Sequence, residues 1–224
     1  HLHYLTGRSE ERLTFDVQKS IGEQMHYGDR AGVSGVERFM KHYFLMAKDV
    51  GDLTRVLCAV LEDQQKKKSF FRFPSLPRRR LKIDGFIVER GRITVENSNT
   101  FCQDPLKLLR IFAEAQAHNL DIHPNALRLI NRDLKFINKE FRQNKNANAI
   151  FLEIMTSKNE PETTLRRLNE AGVFGKFIPD FGRIVAQMEF SMYHSYTVDE
   201  HTIRAIGILS RIESGAYALD MPNV

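Results

Sequence analysis

The sequence predicts a mostly α-helical fold, a helical bundle with one small β-hairpin. Apolar residues recur at every third or fourth position over long stretches, which is the periodicity of a helix with one buried face. Residues typical of helix starts precede these stretches, whereas strict alternation of apolar and polar residues is convincing at only one place. The chain has 224 residues, of which 42% are hydrophobic, so a sizeable core is expected.

The first predicted helix begins at Ser9, a candidate N-cap, and spans about four turns. A break that is rich in glycine and aspartate, at residues 28–32, ends it. Its buried side is predicted to carry Leu13, Val17, Ile21 and Met25.

The second predicted helix begins with a capping box, because Ser34 and Glu37 stand three residues apart. We expect it to reach about Glu62, with Gly51 as a weak point rather than an end. Its inner face is predicted to carry Phe39, Tyr43, Val50, Leu57 and Val60.

A basic segment follows, with eight Lys or Arg residues and no acidic residue between Lys66 and Lys82. The formal net charge is +5, but without these eight residues 25 basic residues would face 28 acidic ones, so the excess is local. Pro74 and Pro77 oppose regular structure here. We interpret 63–81 as a solvated linker or insertion; a nucleic-acid patch and a dock for an acidic partner are the functional alternatives.

A β-hairpin is predicted next. Phe86 and Val88 alternate on one side of the Arg90-Gly91 dipeptide, and the other side shows the same alternation. The two residues that alternate there are Ile93 and Val95.

A helical hairpin is then predicted. Asp104 is a candidate N-cap with Pro105 at the first helical position, where the missing N–H costs nothing. Asn119 is a candidate left-handed cap, and His123-Pro124 opens the next helix. The first helix of this pair is predicted to bury Leu106, Leu109, Ala113 and Ala117.

Three more helices are predicted after the hairpin. A shorter one lies around Ala149 to Met155, and another starts at Pro161 and ends at Gly172. That last helix is predicted to bury Leu165, Leu168 and Ala171. The long helix that precedes both is predicted from Leu127, Ile130, Leu134, Ile137 and Phe141.

The final predicted elements are an aromatic cluster and one more helix. Four residues around Pro179 are interpreted as core rather than as a surface for stacking bases: Phe174, Phe177, Ile178 and Phe181. Thr197 and Glu200 form another capping-box pattern, and the helix is predicted to end before Gly215. Its buried face is predicted to carry Val198, His201, Ala205, Ile208 and Ile212.

Composition restricts the class of protein further. No run of eighteen apolar residues and no charged-then-apolar leader is present, so neither a membrane span nor a secretory signal is expected. Cys58 and Cys102 show no metal-ligand or redox spacing and are interpreted as reduced thiols, which predicts a cytoplasmic protein.

Four segments resemble one enzyme family. The stretch DPLKLLR at 104–110 resembles the DPxxxLR element that follows the catalytic head in nucleotidyltransferases of the DNA polymerase β type. Three others narrow the resemblance to the bifunctional uridylyltransferase and uridylyl-removing enzymes of the PII nitrogen-signalling protein. They are HLHYLTGRSEERLTFDVQ at 1–18, LRLINRDLKFIN at 127–138 and RRLNEAGVFGKFIPDFGRIVAQMEFSMYHSYTVDEHTIRAI at 166–206.

This resemblance implies a domain organisation. The helices would form the neck of a polymerase β-like nucleotidyltransferase. The implied parts are N-terminal helices at 1–62, the basic linker at 63–81, a β-hairpin and helical neck domain at 82–190, and the truncated start of an HD phosphohydrolase domain at 191–224.

The resemblance also implies activities for a parent bacterial enzyme. Such an enzyme transfers UMP from UTP to a tyrosine of PII when nitrogen is scarce and removes it when glutamine is plentiful, with Mg²⁺ or Mn²⁺ as the metal. The chain contains neither a Gly-rich phosphate loop nor an Asp-x-Asp pattern, so we expect the catalytic head to lie upstream. The chain alone is predicted to be inactive, to bind no metal tightly, and to act as a scaffold or PII-docking region.

Candidate site residues follow from the same resemblance. His201 in TVDEHTI is the candidate first metal ligand of the HD domain, but no His-Asp doublet completes the site. From the residues alone, a buried core histidine is the alternative. His194 is interpreted as structural, and Asp199 and Glu200 as first-turn residues favoured by the helix dipole.

Asp104 and Arg110 are candidates for positioning a nucleotide, with a helix cap and a surface arginine as the alternative. No catalytic residue is expected within the chain itself.

Two other functions remain open at this stage. The chain could be the RNA-gripping neck of a tRNA CCA-adding or poly(A) polymerase-like enzyme, which predicts a continuous basic face along several helices. It could also be a non-catalytic module that recruits an acidic partner through its basic segment. Because the charge is concentrated in one segment, nucleic acid is not expected as the partner, and the lack of a membrane span speaks against a membrane. The partner that the resemblance implies is PII.

Overall fold

The computed structural model describes residues 1–7, 9, 11–69, 81–188, 190 and 196–216, and only the backbone of residues 52, 55, 56, 59, 60 and 62–69. The fold is mostly helical with one small sheet, which confirms the predicted class. The described helices are α1 (Leu2–Thr6), α2 (Phe15–Gln24), α3 (Gly35–Ser69), α4 (Thr100–Gln103), α5 (Lys107–Ala117), α6 (Pro124–Asp133), α7 (Lys139–Gln143), α8 (Lys145–Met155), α9 (Pro161–Glu170), α10 (Val173–Phe177), α11 (Pro179–Ile184) and α12 (Val198–Glu213). The described strands are β1 (Leu81–Ile83), β2 (Phe86–Glu89), β3 (Arg92–Thr94) and β4 (Asp121–Ile122).

The N-terminal helices α1 and α2 pack with the first part of α3 around a small apolar core. The predicted helix start at Ser9 is wrong, because α2 begins after Thr14, whose backbone is extended. Leu13 packs against the small core although it lies in an irregular segment. Its four-residue spacing from Val17 predicted a helix, but non-helical backbone also brings both side chains to this core. The buried members of this core are Ile21, Val36, Phe39, Met40 and Met188.

Helix α3 starts as predicted and ends later. The Ser34 N–H donates to Glu37 Oε2 at 3.0 Å and the Glu37 N–H donates to Ser34 Oγ at 3.4 Å, which is a formed capping box. The helix continues past the predicted end at Glu62 to Ser69. No Gly or Pro interrupts residues 62–69, and Glu, Gln and Lys are good helix formers, so nothing local stops it.

The face predicted to be buried along α3 is buried only at its beginning. Phe39 lies in the small core, but Tyr43, Val50 and Leu57 keep between 45% and 62% of their surface exposed. Lys41 and Lys48 still contact carbonyls of the neighbouring helices, at Arg183 and Asn169. The C-terminal part of α3 extends beyond the described elements that could cover its apolar side chains. The side chain of Val60 and the predicted breakers Pro74 and Pro77 lie outside the described residues.

The predicted β-hairpin is present as β2 and β3, joined by Arg90 and Gly91. Both residues have positive φ, 54° and 77°, as a two-residue type I′ turn requires. The sheet has two further strands that were not predicted, in the order β1-β2-β3-β4. β1 joins β2 through Asp84-Gly85, again with positive φ at both positions, and the short β4 pairs parallel to β3.

Helix α5 is the centre of the main core. Its predicted inward residues Leu109 and Ala113 are buried and Leu106 is half-buried, but Ala117 is exposed. The predicted caps after it are confirmed: Asn119 has φ 51°, and the His123 ring accepts from the N–H that follows Pro124. α5 also buries Leu108, Ile111, Phe112 and Ala115, so it is surrounded rather than covered on one face.

The single long helix predicted over 127–141 is wrong. α6 ends at Asp133, a 3₁₀ turn covers 134–136, and a new helix, α7, begins after Asn138. The Asn138 side chain accepts from the Phe141 N–H at 2.9 Å, so this asparagine caps a helix instead of continuing one.

Helices α8 and α9 follow. α8 starts earlier than predicted, at Lys145, because Asn144 caps it through its side chain. α9 begins at Pro161 as predicted, and Gly172 follows it with φ 73°. The inward residues predicted for α9, namely Leu165, Leu168 and Ala171, are all buried.

The aromatic cluster is core, as predicted. The rings of Phe174 and Phe181 stack at 3.7 Å, and Phe177 contacts Phe151 of α8. α10 and α11 approach so closely that a Cβ on Gly182 would lie 2.6 Å from the carbonyl oxygen of Gly175.

The last described helix, α12, joins the main core through Ile203 and ends at Glu213, before Gly215, which has φ 77°. It starts after Thr197 as predicted, but the Thr197 side chain makes no capping hydrogen bond. Among the described helices none is long and apolar enough to cross a membrane.

Candidate functional site

A polar cleft of about 320 Å³ brings Asp104 and Arg110 together. It lies where the β1–β2 turn, the start of α5 and the helix α8 meet. Both residues predicted to position a nucleotide therefore line one cavity. The lining residues are Asp84, Asp104, Leu106, Lys107, Arg110, Asn146, Ala149, Ile150 and Glu153.

Asp104 organises the entry to α5. Its carboxylate accepts from the Leu106 N–H at 3.2 Å and its carbonyl accepts from the Lys107 N–H at 3.1 Å. The helix itself begins at Lys107, two residues later than predicted, because Pro105 and Leu106 form a turn first. Asp104 therefore stabilises the turn that precedes α5 and is not itself the N-cap of that helix.

Arg110 bridges two elements. Its Nη1 lies 3.2 Å from Glu153 Oε2 on α8, and its Nε lies 3.7 Å from Asp84 Oδ2 in the β1–β2 turn. Its side chain is 31% exposed, so it is a partly buried arginine with two carboxylate partners. Among the described residues the ion pairs of Arg110 are with Asp84 and Glu153, so Arg110 and Asp104 share a cavity without forming a pair.

The charge of this cleft limits its chemistry. Glu114 stands one turn beyond Arg110, and burial raises the pKa of its carboxyl group, with Asp84 adding repulsion. Asp84, Asp104 and Glu153 outnumber the cationic lining residues, Arg110 and Lys107. The lining therefore carries one more acidic than basic side chain, and Arg110 is already paired with two of the acidic ones. The nucleotide-positioning role of Asp104 and Arg110 stays a prediction.

The second predicted site lies on α12, and its orientation differs from the prediction. The face of Val198, His201, Ala205, Ile208 and Ile212 was predicted to be buried, but His201, Ala205 and Ile208 are exposed. The buried side carries Asp199, Ile203 and Gly207 instead. Gly207 allows α12 to approach α9 closely on this side, because a Cβ there would lie 2.7 Å from the Cβ of Glu162.

Ion pairs fix α12 to α9. Glu162 accepts from Arg166 at 3.1 Å and from Arg211 at 2.9 Å, and Arg166 also donates to Glu200 at 3.1 Å. Burial alone would raise the pKa of Glu162, but the hydrogen bonds from both arginines outweigh it and lower that pKa. Glu200 is therefore a partner in an inter-helix network as well as a first-turn residue.

No group of three His, Cys, Asp or Glu side chains that could hold a metal ion occurs within the described part of the chain. His201 is exposed and belongs to no such group of three there. The described residues therefore do not fit a metal by themselves. His194 lies outside the described residues.

An apolar cavity of about 550 Å³ between α1, α2 and α3 was not predicted. Its rim carries Tyr27, whose hydroxyl is hydrogen-bonded to the His42 ring. Its volume is in the range of small-molecule sites. The sequence offered one signal, the interleaving of histidines and aromatics in HLHYL and KHYF at 1–5 and 41–44. The apolar side chains in its wall are Leu2, Leu13, Ile21, Met25, Phe39, Tyr43 and Met46.

Comparison with known proteins gives two family matches. Residues 86–177 match the model described as uridylyltransferase GlnD third domain, and residues 1–58 match the one described as GlnD PII-uridylyltransferase. The first covers the strands β2 to β4 and the helices from α4 to α10, and the second covers α1, α2 and most of α3.

Individual proteins match almost the whole chain. Three are each named bifunctional uridylyltransferase/uridylyl-removing enzyme: those of Azospirillum brasilense, Rhodospirillum rubrum and Novosphingobium aromaticivorans are 56%, 54% and 53% identical to it. Each match covers 99% of this chain and 24% of the relative, so the chain spans about a quarter of the length of these curated relatives. No solved structure matches the chain.

Proposed function

Because this chain belongs to the GlnD family of uridylyltransferases, we propose that it is the helical scaffold between the two catalytic units of an enzyme that uridylylates and deuridylylates PII. In this proposal the whole enzyme transfers UMP from UTP to a PII tyrosine and, in response to glutamine, removes it again. The match of nearly the full chain to relatives with both activities in their names carries the proposal.

The scaffold role is supported by how the helices are joined. α3 lies in one matched region, α9 in the other, and α12 beyond both, and direct side-chain contacts link all three. A region built in this way holds its parts in fixed relation. Part of its surface is proposed to receive PII. The cytoplasmic location and the four-part domain division remain predictions.

For the removal reaction we assign a role to His201 on α12. Its exposure leaves the ring available to groups outside the described residues. The metal ions of both reactions, Mg²⁺ or Mn²⁺, would be held chiefly by residues beyond those described, since no metal-binding group of three occurs among them. In this proposal the described residues orient His201 and do not by themselves complete a catalytic centre.

His201→Ala in the full-length enzyme tests this assignment. We expect uridylyl removal to be abolished while transfer of UMP from UTP is retained, because the substitution touches only the removal unit. His118→Ala, which removes a histidine that follows the last residue of α5 and is 49% exposed, is the control and should retain both activities. Intact removal in His201→Ala would show that the assignment is wrong.

The RNA-gripping alternative predicts a basic face along several helices. The described helices instead pair many arginines with carboxylates, as Arg110, Arg166 and Arg167 show. Paired arginines are poorly available to phosphates. This favours the PII-modifying function.

A further inference from the structure

A buried polar junction joins three helices. Asp199, in the first turn of α12, is 4% exposed, and Asn169, near the end of α9, is 5% exposed. Asn169 Nδ2 donates to Asp199 Oδ2 at 2.8 Å. The backbone carbonyl of Asn169 accepts from Lys48 Nζ of α3 at 2.7 Å. One residue of α9 therefore contacts both α3 and α12.

Asp199 also holds the turn that follows α11. The Ala186 N–H donates to Asp199 Oδ1 at 3.1 Å, and the Val198 N–H donates to the Gln187 carbonyl at 2.8 Å. Ala186 has φ 56°, a left-handed conformation that costs energy for an alanine. The first turn of α12 is thus fixed from two sides, by α9 and by this turn.

The carboxylate of Asp199 is partnered by neutral donors alone among the described residues. Burying a carboxylate without a cation is costly, and the N-terminal end of the helix dipole offsets only part of that cost. A carboxylate nevertheless matches its surroundings here, because the Asn169 amide and the Ala186 N–H are both donors and each carboxylate oxygen accepts from one of them. These contacts, to the Asn169 amide and to the Ala186 N–H, hold the first turn of α12 in position.

His201 lies two residues beyond Asp199 in the same helical turn region and is exposed. Fixing the first turn of α12 fixes the direction in which the His201 side chain leaves the helix. We propose that Asp199 is a positioning residue for uridylyl removal, which it serves by clamping the first turn of α12 to Asn169 and to the Ala186 turn. This rests on the proposed function, since it takes from it the role of His201.

Two substitutions at Asp199 in the full-length enzyme separate positioning from chemistry. Asp199→Ala leaves the Ala186 N–H and the Asn169 amide without acceptors. We expect the kcat of removal to fall about tenfold or more, with the KM for uridylylated PII within about twofold, because a displaced group costs rate rather than binding. Transfer should be unchanged. Asp180→Asn, an exposed carboxylate change, is the matched control.

Asp199→Asn should keep removal within about threefold of wild type. Its amide oxygen can accept from the Ala186 N–H, and its amide nitrogen can donate to Asn169 Oδ1, which has no hydrogen-bond partner among the described residues, once the Asn169 amide turns over. Equal losses in both variants would overturn the proposal, since the carboxylate itself would then be needed. Unchanged removal in Asp199→Ala would overturn it too.

If Asp199→Ala does not fold, a double variant that exchanges the two side chains, Asn169→Asp with Asp199→Asn, decides the question. Asn169→Asp places two buried carboxylates face to face and should lose removal activity. Adding Asp199→Asn restores a donor and an acceptor and should recover it, as a double-mutant cycle measures. Failure of the pair to recover contradicts the proposal. His201→Ala measured alongside keeps the two claims apart, because retained removal there contradicts the role assigned to His201, whereas the Asp199 and Asn169 variants test the clamp.

Discussion

Two glutamates illustrate how single residues set the pH response of this molecule. Burial, with repulsion from Asp84, raises the pKa of Glu114 above its ordinary value of 4.5. Hydrogen bonds from the Ser34 hydroxyl and N–H lower the pKa of Glu37 below the same value. The charged form of Glu114 is therefore disfavoured by folding, and the charged form of Glu37 is favoured.

These opposite shifts predict opposite effects on stability. The folded state holds its Glu114 proton more tightly, so the free energy of unfolding falls as pH rises from 4.5 through the raised pKa. Glu114→Gln should therefore be more stable than wild type at pH 7 and lose that advantage below pH 4.5. Urea unfolding at both pH values measures this.

Glu37→Gln serves as the opposite case. Stability from Glu37 is present above pH 4.5 and is lost as pH falls through the lowered pKa, so the variant should be less stable at pH 7 and approach wild type in acid. A Glu114→Gln variant that is less stable than wild type at pH 7 would contradict the first prediction.

At this scale, residues with local roles were predictable and residues with distant partners were not. The capping box at Ser34, the left-handed Asn119 and the capping His123 depend on neighbours in sequence. Asp199 was interpreted as a first-turn residue only, because its partners Asn169 and Ala186 lie 30 and 13 positions away. Nothing in the local sequence marks such a contact.

Among the elements, the packing of α12 on α9 depends most sharply on a single position. Gly207→Ala places a Cβ 2.7 Å from the Cβ of Glu162, an atom fixed to the α9 backbone, so the helices must separate. We expect a loss of about 1–3 kcal/mol in the free energy of unfolding. Gly51→Ala, where an added Cβ meets nothing within 4 Å, should instead gain roughly 0.5–1 kcal/mol.

Urea unfolding of the two glycine variants checks this pair. The reverse order of stabilities, with Gly207→Ala above wild type, would show that the α9–α12 contact is looser than described.

The helices α3 and α5 should respond differently to loss of a leucine. Leu109 in α5 is fully buried, so Leu109→Ala should cost about 2–5 kcal/mol. Leu53 in α3 is 71% exposed, and Leu53→Ala should change stability by less than about 0.5 kcal/mol. Denaturation midpoints give both values, and a large cost at Leu53 would mean that the face of α3 is covered.

Element types were more predictable than element limits. The β1–β2 hairpin was missed although Asp84-Gly85, a strong type I′ signal, stands between the apolar residues Ile83 and Phe86. The break after Asp133 was missed because its apolar spacing continues across it, and burial of Ile137 and Phe141 is met by two short helices as well as by one long one.

On the scale of the whole molecule, the described residues form two apolar cores. The larger extends from Phe86 to Ile203 and the smaller joins α2 and α3 to Met188. The sequence predicted enough apolar surface for a core but not its division, because helical periodicity shows which face is buried and not against what. The orientation of His201 was missed for the same reason.

The charge distribution over the whole molecule favours a protein partner over nucleic acid. The basic excess lies within 66–82, where four of the eight basic residues fall outside the described ones, and the described helices carry paired charges. A scaffold of this kind should recognise PII by shape and local contacts rather than bind nucleic acid through a basic face.

A titration of the purified 224-residue chain with PII, beside one with tRNA at the same salt concentration, tests this most directly. The account predicts saturable binding of PII and none of tRNA. Saturable binding of tRNA without binding of PII would contradict it and favour the RNA-gripping neck.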